Sequence, residues 1–213
     1  DRVPIEMVMS FKYGIVLSVI FLLQIFSWWR KEGSDPLVPA LYIFGDSTID
    51  PGNNDEIMTI CRANFHPYGQ DFPGGKATGR FTNGKLVTDM LSGFLGLPDE
   101  LPGNLDPEFT GQKLLTGASF GSAGAGIDDS TSLPLGTISL GMQMENFRSY
   151  RQNLEDMIGE EGASKIISGA LFAISMGTND FIDNYYSNST IREKYNIEQF
   201  QELLLQDLQP FIQ

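Results

Sequence analysis

Apolar residues occur along this chain in two patterns, short unbroken runs and longer stretches with helical spacing. Short runs are typical of strands buried on both faces, whereas apolar residues every three or four positions are typical of amphipathic helices. Because strands alternate with helices, we expect a parallel sheet covered by helices, an α/β fold. The predicted strands are 37–44, 118–125 and 170–176, and the predicted helices are 83–96, 142–158, 163–168 and 197–212.

A long polar segment follows the first predicted strand. Residues 47–84 contain one turn signal after another, among them Pro51-Gly52-Asn53-Asn54 and Pro73-Gly74-Gly75. A loop of this length inside a compact domain is usually functional or part of a binding surface. We therefore expect the function of the chain to involve this segment.

The N-terminal segment has a pattern of its own. The 17 residues 13–29 carry no charge and consist mainly of Ile, Val, Leu and Phe. This is typical of a secretory signal peptide, but an uncleaved membrane anchor, which needs roughly 17–25 such residues, is the alternative. We divide the chain into an N-terminal extension, residues 1–36, and one domain, residues 37–213. An N-glycosylation acceptor at Asn188 agrees with a secreted protein.

Charge and composition limit the classes of partner. The chain has 213 residues and a formal net charge of −13. An acidic surface repels nucleic acid and anionic membranes, so we expect neither as a partner unless the N-terminal segment is an anchor. The length is sufficient for one domain with a real core, and a single cysteine, Cys61, excludes a disulfide within the chain.

Each predicted strand ends near a group that is suited to acyl transfer. The first strand leads to Ser47, whose hydroxyl could attack an acyl carbonyl. The second leads to Gly124, where a backbone N–H can approach a ligand, and the third to Asn179, whose amide could donate to an oxyanion. The carboxyl ends of parallel strands meet at one edge of a sheet, so we expect the three groups to lie together there.

Every one of these groups also has a purely structural interpretation. Residues 45–47 could form a simple turn, and Gly124 could merely permit a tight turn. Asn179 and Asp180 could cap the next helix, and Asp46 and Asp180 could hydrogen-bond loop N–H groups. The occurrence of the whole set at successive strand ends favours the catalytic interpretation.

The chain resembles the plant GDSL esterase/lipase family, a subgroup of the SGNH hydrolases, over about residues 39–213. Several motifs carry the resemblance together, although the first of them alone is not specific. They are Phe44-Gly45-Asp46-Ser47 with Asp50, Gly52, Asn53 and Asn54, then Pro67-Tyr68-Gly69, Asp71-Phe72-Pro73-Gly74, Thr78-Gly79-Arg80-Phe81-Thr82-Asn83-Gly84-Lys85, residues 120–127, and Gly177-Thr178-Asn179-Asp180.

The resemblance implies a three-layer α/β/α sandwich with a mainly parallel sheet. It also implies hydrolysis of small-molecule or lipid carboxylic esters through an acyl-enzyme, without a metal or an organic cofactor. Ser47 would be the nucleophile and a backbone oxyanion donor, Gly124 the second backbone donor, and Asn179 the side-chain donor.

Two departures from the family pattern bear on activity. The family's Asp-x-x-His block, which provides the base and its orienting acid, has no counterpart here, so we expect a C-terminally truncated domain that is inactive unaided. The single histidine, His66, lies 19 residues after Ser47, and we interpret it as an exposed or structural loop residue. Ser119 stands where the family usually has Asn, a change that leaves Gly124 in place.

Other functions and one consequence for solubility follow from the same residues. A domain without a base could bind acyl or glycan ligands without turnover. A nucleotide-binding domain is disfavoured, because residues 122–126 are Gly-rich but no Gly-x-Gly-x-x-Gly follows the first strand. Phe181, Tyr185 and Tyr186 could line an acyl pocket, but we favour core positions. A sheet that ends after its third strand exposes an edge, so we expect residues 37–213 alone to be poorly soluble.

Overall fold

The computed structural model describes residues 35–212 of the chain, so the predicted signal or anchor segment lies outside the described residues. No helix between residues 35 and 212 combines the length and the apolarity that a membrane crossing requires.

The described strands are β1 (Leu41–Gly45), β2 (Gly117–Ser119) and β3 (Leu171–Ser175). The α-helices are α1 (Val87–Leu95), α2 (Asp129–Ser132), α3 (Leu140–Gly169), α4 (Ser189–Lys194) and α5 (Ile197–Ile212). Short 3₁₀ helices span Asn53–Glu56, Gly111–Thr116 and Leu133–Leu135, and a π-helix spans Asp180–Tyr186.

The three strands form one parallel sheet in the order β2-β1-β3. Leu41 in β1 lies opposite Gly117 on one side and Leu171 on the other. Every residue of the central strand β1 is buried, which explains its unbroken apolar run. The parallel pairing confirms the predicted α/β fold and brings all three carboxyl ends to one edge.

Helices cover both faces of this sheet. On one face, Tyr42 belongs to a buried cluster with residues of α3, and its hydroxyl lies 2.9 Å from that of Tyr150. On the other face, Ile43 belongs to a second cluster that includes Leu95 of α1. Alternate residues of β1 therefore face different helices, as a three-layer α/β/α arrangement requires.

Several predicted elements have different bounds in the structure. The second strand spans Gly117–Ser119 and does not extend to residue 125; isolated hydrogen bonds to β1 continue through Ser122, and Gly124, with a φ of 82°, lies in the turn that follows. The helices predicted at 142–158 and 163–168 are parts of one element, α3, which is interrupted by the non-helical Gly159. The helix predicted from residue 83 begins at Val87. It begins there because the Asp89 carboxylate accepts the N–H of Leu86 and so caps the first turn.

The aromatic residues after β3 divide between core and surface. The rings of Phe181 and Tyr185 lie 5.5 and 4.9 Å from that of Phe200 in α5, and these contacts form a third buried cluster. Tyr186 is 57% exposed, so the core prediction is wrong for this residue. It occupies the last position of the π-helix, and its ring lies 5.2 Å from that of Tyr185.

Candidate active site

β1 ends at a turn that presents Ser47. Gly45 lies so close to β3 that a Cβ atom there would stand 2.0 Å from the Ser175 carbonyl oxygen. The Asp46 carboxylate stabilises the turn by accepting hydrogen bonds from the N–H of Thr48 at 2.9 Å and from its hydroxyl at 2.8 Å. Ser47 is therefore half-buried and lies directly beyond the carboxyl end of β1.

A buried side chain from α3 fixes the end of β1. The amide oxygen of Gln143 accepts the Gly45 N–H at 2.9 Å, and its nitrogen donates to the Gly45 carbonyl at 2.8 Å. Gln143 also donates to the carbonyl of Ile138 at 3.1 Å and is fully buried. Gln143 therefore provides the acceptor for the Gly45 N–H, and its nitrogen adds a hydrogen bond to the Gly45 carbonyl.

The loop after β2 brings Gly124 to the same sheet edge. The Ser122 N–H donates to the Gly45 carbonyl at 3.0 Å, which continues the pairing of the two strands past their formal ends. Gly124 has a φ of 82°, and a Cβ there would lie 2.9 Å from a methyl group of Leu135. Glycine is thus required for the turn, and within residues 35–212 no acceptor takes the Gly124 N–H.

The loop that follows Ser47 is hydrogen-bonded to the loop that carries Gly124. The fully buried Asp50 carboxylate accepts the Ala123 N–H at 2.9 Å, and it accepts two further N–H groups of its own turn. Burial raises the pKa of Asp50 to about 6, although the three N–H donors act in the opposite direction. Asn54 donates from its amide to the Ala123 carbonyl at 2.9 Å.

The turn after β3 is tied to the loop after β2 by Asn179. Its amide nitrogen donates to the Ala125 carbonyl at 2.8 Å. Asn179 makes no side-chain capping hydrogen bond, so the capping interpretation is wrong for this residue. An amide carries two N–H groups, and one bond to Ala125 leaves the second available to a ligand.

Asp180 hydrogen-bonds loop N–H groups, which is the structural role considered for it from the sequence. Its buried carboxylate accepts the N–H groups of Ile127 at 2.8 Å and Asp128 at 3.0 Å, and the hydroxyl of Thr131 at 2.9 Å. Burial raises the pKa of Asp180, while these donors act to lower it. Asp180 therefore holds the loop after residue 126 against the π-helix and does not point to a ligand.

The described part of the chain provides no base for Ser47. Within residues 35–212, neither the Ser47 hydroxyl nor the His66 imidazole makes a hydrogen bond. His66 is exposed on the loop before a cis peptide bond to Pro67. Since a serine hydroxyl needs a neighbouring base to become a good nucleophile, this part of the site is incomplete.

Two clefts lie near the loops of the site. An open cleft of about 690 Å³ lies beside Gly124, and its lining combines apolar residues such as Met58, Ile60 and Leu135 with Thr59 and Arg62. A second cleft, of about 580 Å³, is lined by residues of the 51–56 turn and of 98–108, and by none of the three candidate groups. Among the described residues there is no group of three or more His, Cys, Asp or Glu side chains that could hold a metal ion.

A parallel sheet with a serine and unused N–H donors at its carboxyl edge is the arrangement expected of an α/β serine hydrolase. The family described as GDSL-like lipase/acylhydrolase matches residues 41–212. The chain belongs to this family, which confirms the resemblance found in its motifs.

Three relatives from Arabidopsis thaliana, each named a GDSL esterase/lipase, illustrate the relationship. They are 46%, 45% and 44% identical to the chain over 175, 167 and 177 residues. These matches cover 82%, 78% and 83% of the chain, and 50%, 48% and 49% of the relatives. The chain therefore spans about half the length of the curated relatives it matches. No solved structure matches it significantly.

Proposed function

We propose that this domain belongs to an enzyme that hydrolyses carboxylic esters through an acyl-enzyme on Ser47. The observation that carries the proposal is a set of free donors at one sheet edge. Within residues 35–212 the backbone N–H groups of Ser47 and Gly124 have no acceptor, and Asn179 has one N–H to spare. Preorganised donors of this kind stabilise the oxyanion of acyl transfer. The names of the relatives support small-molecule or lipid esters as the substrate class.

The proposed reaction has two steps, acylation of Ser47 and hydrolysis of the acyl-enzyme. The Ser47 oxygen attacks the ester carbonyl carbon and its proton passes to a base, while the carbonyl oxygen becomes an oxyanion that accepts hydrogen bonds from Ser47, Gly124 and Asn179. Collapse of this intermediate breaks the bond to the alcohol, which leaves with the proton from the base. Water then attacks the acyl-enzyme in the same way and releases the acid and the free Ser47.

The rate at which an ester acylates Ser47 depends on the base that accepts the proton of the hydroxyl. His66 is exposed and has no hydrogen bond to Ser47, so we do not assign it this role. Oxyanion donors and binding alone give roughly 10³–10⁴-fold acceleration over water. We therefore expect slow acylation by the 213-residue chain and faster acylation when imidazole in the buffer replaces the missing base.

The unpartnered Ser47 hydroxyl also favours a second candidate, a domain that binds acyl or glycan ligands without turnover. The two candidates differ in one measurable step, since a binding domain releases no alcohol from an ester. With p-nitrophenyl butyrate and imidazole, we expect a burst of p-nitrophenol that is lost in Ser47→Ala. As a control, Ser168→Ala removes a hydroxyl near the end of α3, before β3 begins and so at the opposite edge of the sheet, and should keep the burst. Saturable ligand binding without a Ser47-dependent burst would refute the hydrolase and support the binding domain.

We also propose that the protein is secreted, with membrane anchoring through residues 13–29 as the alternative. Asn188 is exposed, and its side-chain oxygen accepts the Thr190 N–H at 3.0 Å. Its nitrogen, the atom that a glycan joins, makes no hydrogen bond within residues 35–212. We expect the protein from plant culture medium to lose mass on enzymatic deglycosylation, and Asn188→Gln to abolish that change. Retention of the protein in the cytosol would contradict secretion.

A further inference from the structure

We infer that Asn54 is a positioning residue for the Gly124 oxyanion donor, a role that rests on the proposed ester hydrolysis. The Asn54 amide nitrogen donates to the carbonyl oxygen of Ala123 at 2.9 Å. That carbonyl and the Gly124 N–H belong to the same planar peptide unit, in which they point in opposite directions. A hydrogen bond that fixes the carbonyl therefore also fixes the direction of the N–H.

The Asn54 amide is itself held in one orientation. Its oxygen accepts the hydroxyl of Ser122, and its nitrogen makes a second hydrogen bond, to the Cys61 carbonyl at 2.7 Å. The Ser122 oxygen in turn accepts the N–H of Ile138 at 3.0 Å. Asn54 is fully buried, so water does not compete for these bonds. Its side chain is thus a rigid anchor for the Ala123–Gly124 peptide.

Asp50 holds the other side of Ala123. Its carboxylate accepts the Ala123 N–H at 2.9 Å, while Asn54 holds the carbonyl of the same residue. Both anchors come from the loop that begins with Ser47, so the donor at Gly124 keeps a fixed place relative to the nucleophile. Precise placement matters because a displacement of about 1 Å can reduce a rate roughly 10²-fold.

The neighbouring residue Asn53 offers a matched control. It is 1% exposed, and its amide donates to the carbonyls of Ser119 and Gly121 at 3.0 and 2.8 Å and accepts the Leu105 N–H at 3.1 Å. Asn53 has the same side chain as Asn54, lies in the same loop, and makes the same number of side-chain hydrogen bonds. It makes no hydrogen bond to the Ala123–Gly124 peptide. A merely structural role for Asn54 predicts equal effects of replacing either residue.

The test compares Asn54→Ala with Asn53→Ala in the 213-residue chain, using p-nitrophenyl butyrate in imidazole buffer. The measured quantities are kcat and KM of Ser47-dependent p-nitrophenol release, and the urea midpoint of unfolding. We expect Asn54→Ala to lower kcat by about 10-fold or more, up to the roughly 10²–10³-fold loss typical of a missing oxyanion donor, with little change in KM. Asn53→Ala should lower the urea midpoint to a similar extent and leave kcat nearly unchanged.

Each alternative result has a distinct meaning. Equal losses of kcat in the two variants, or a loss confined to KM, would overturn the positioning role of Asn54. If Asn54→Ala does not fold, Ser122→Ala decides, because it removes the hydroxyl that orients the Asn54 amide and leaves the Asn54 side chain in place. This variant also removes the acceptor of the Ile138 N–H, so its urea midpoint is measured beside kcat. An unchanged kcat in that variant would overturn the inference. A wild-type chain without any Ser47-dependent release would instead refute the proposed hydrolysis itself.

Discussion

At the scale of single residues, the candidate site contains groups with unused hydrogen-bond donors at the sheet edge and side chains that hold the backbone around them. Within residues 35–212, Ser47, Gly124 and Asn179 have free donors or a free hydroxyl at the sheet edge. The Gln143 amide bonds only backbone groups, and the Asn54 amide bonds two backbone carbonyls and the Ser122 hydroxyl. The first group was predictable, because a position at a strand end can be recognised from the apolar run before it. The second was not, because Asn54 and Gln143 contact residues 69 and 98 positions away in the chain.

Asn179 shows where local reasoning is insufficient. An Asn before a helical turn often caps it, and the sequence contains nothing against that interpretation. In the structure its amide reaches the Ala125 carbonyl, a contact across 54 residues that depends on the order of the strands. Asp180, the next residue, makes the local loop contacts instead.

Asp50 gives a prediction for the pH dependence of stability. Burial raises its pKa from 3.8 to about 6, so the folded state binds more protons than the unfolded state between these values. The free energy of unfolding should therefore fall by roughly 3 kcal/mol at most as the pH rises across this interval, and stay level above it.

Urea unfolding at a series of pH values from acid to neutral measures this effect. Burial also raises the pKa values of Asp55, Asp180 and Asp207, which contribute in the same direction. The difference between wild type and Asp50→Asn isolates the part due to Asp50, since the variant has no charge to titrate there. Stability that increases with pH in this interval, or a slope that Asp50→Asn does not change, would show that the pKa is not raised.

At the scale of elements, hydrophobic periodicity predicted the strands and the long helices. It did not predict where α1 begins, which depends on a polar side chain. α1 begins at Val87 because Asp89 caps it. The same carboxylate forms a bidentate pair with the buried Arg80, at 2.8 and 3.0 Å. Arg80 lies in a motif that carried the family resemblance, and the structure gives it a role in joining the long loop to α1.

The strand β3 carries a prediction about self-association. Among the described residues it pairs with β1 alone, and Phe172 and Ile174 are 45% and 41% exposed. An open strand edge with exposed apolar side chains invites pairing with another chain. We expect residues 37–213, produced alone, to be poorly soluble and to elute as oligomers in size-exclusion chromatography with light scattering.

A charged variant on that strand provides the control. Ile174→Lys should increase the monomer fraction, because a charged side chain on an edge strand opposes pairing. A wild-type product that is monomeric and unfolds cooperatively would contradict the prediction.

At the scale of the whole molecule, the fold class followed from the sequence, but the order of the strands did not. Alternating strands and helices predict a parallel sheet, and the motifs predicted the family to which the chain belongs. The position of β1 between β2 and β3 depends on long-range packing that periodicity does not report. This order brings the loops of Ser47, Gly124 and Asn179 together through direct hydrogen bonds.

The most direct test of the central claim is the location of the acyl group after reaction. The 213-residue chain is treated with p-nitrophenyl butyrate in imidazole buffer, quenched in acid, and digested for peptide mapping by mass spectrometry. We predict one butyryl group on the peptide that contains Ser47, and none on that peptide in Ser47→Ala. A butyryl group found only at other residues, or no covalent adduct at all, would contradict the assignment of Ser47 as the nucleophile.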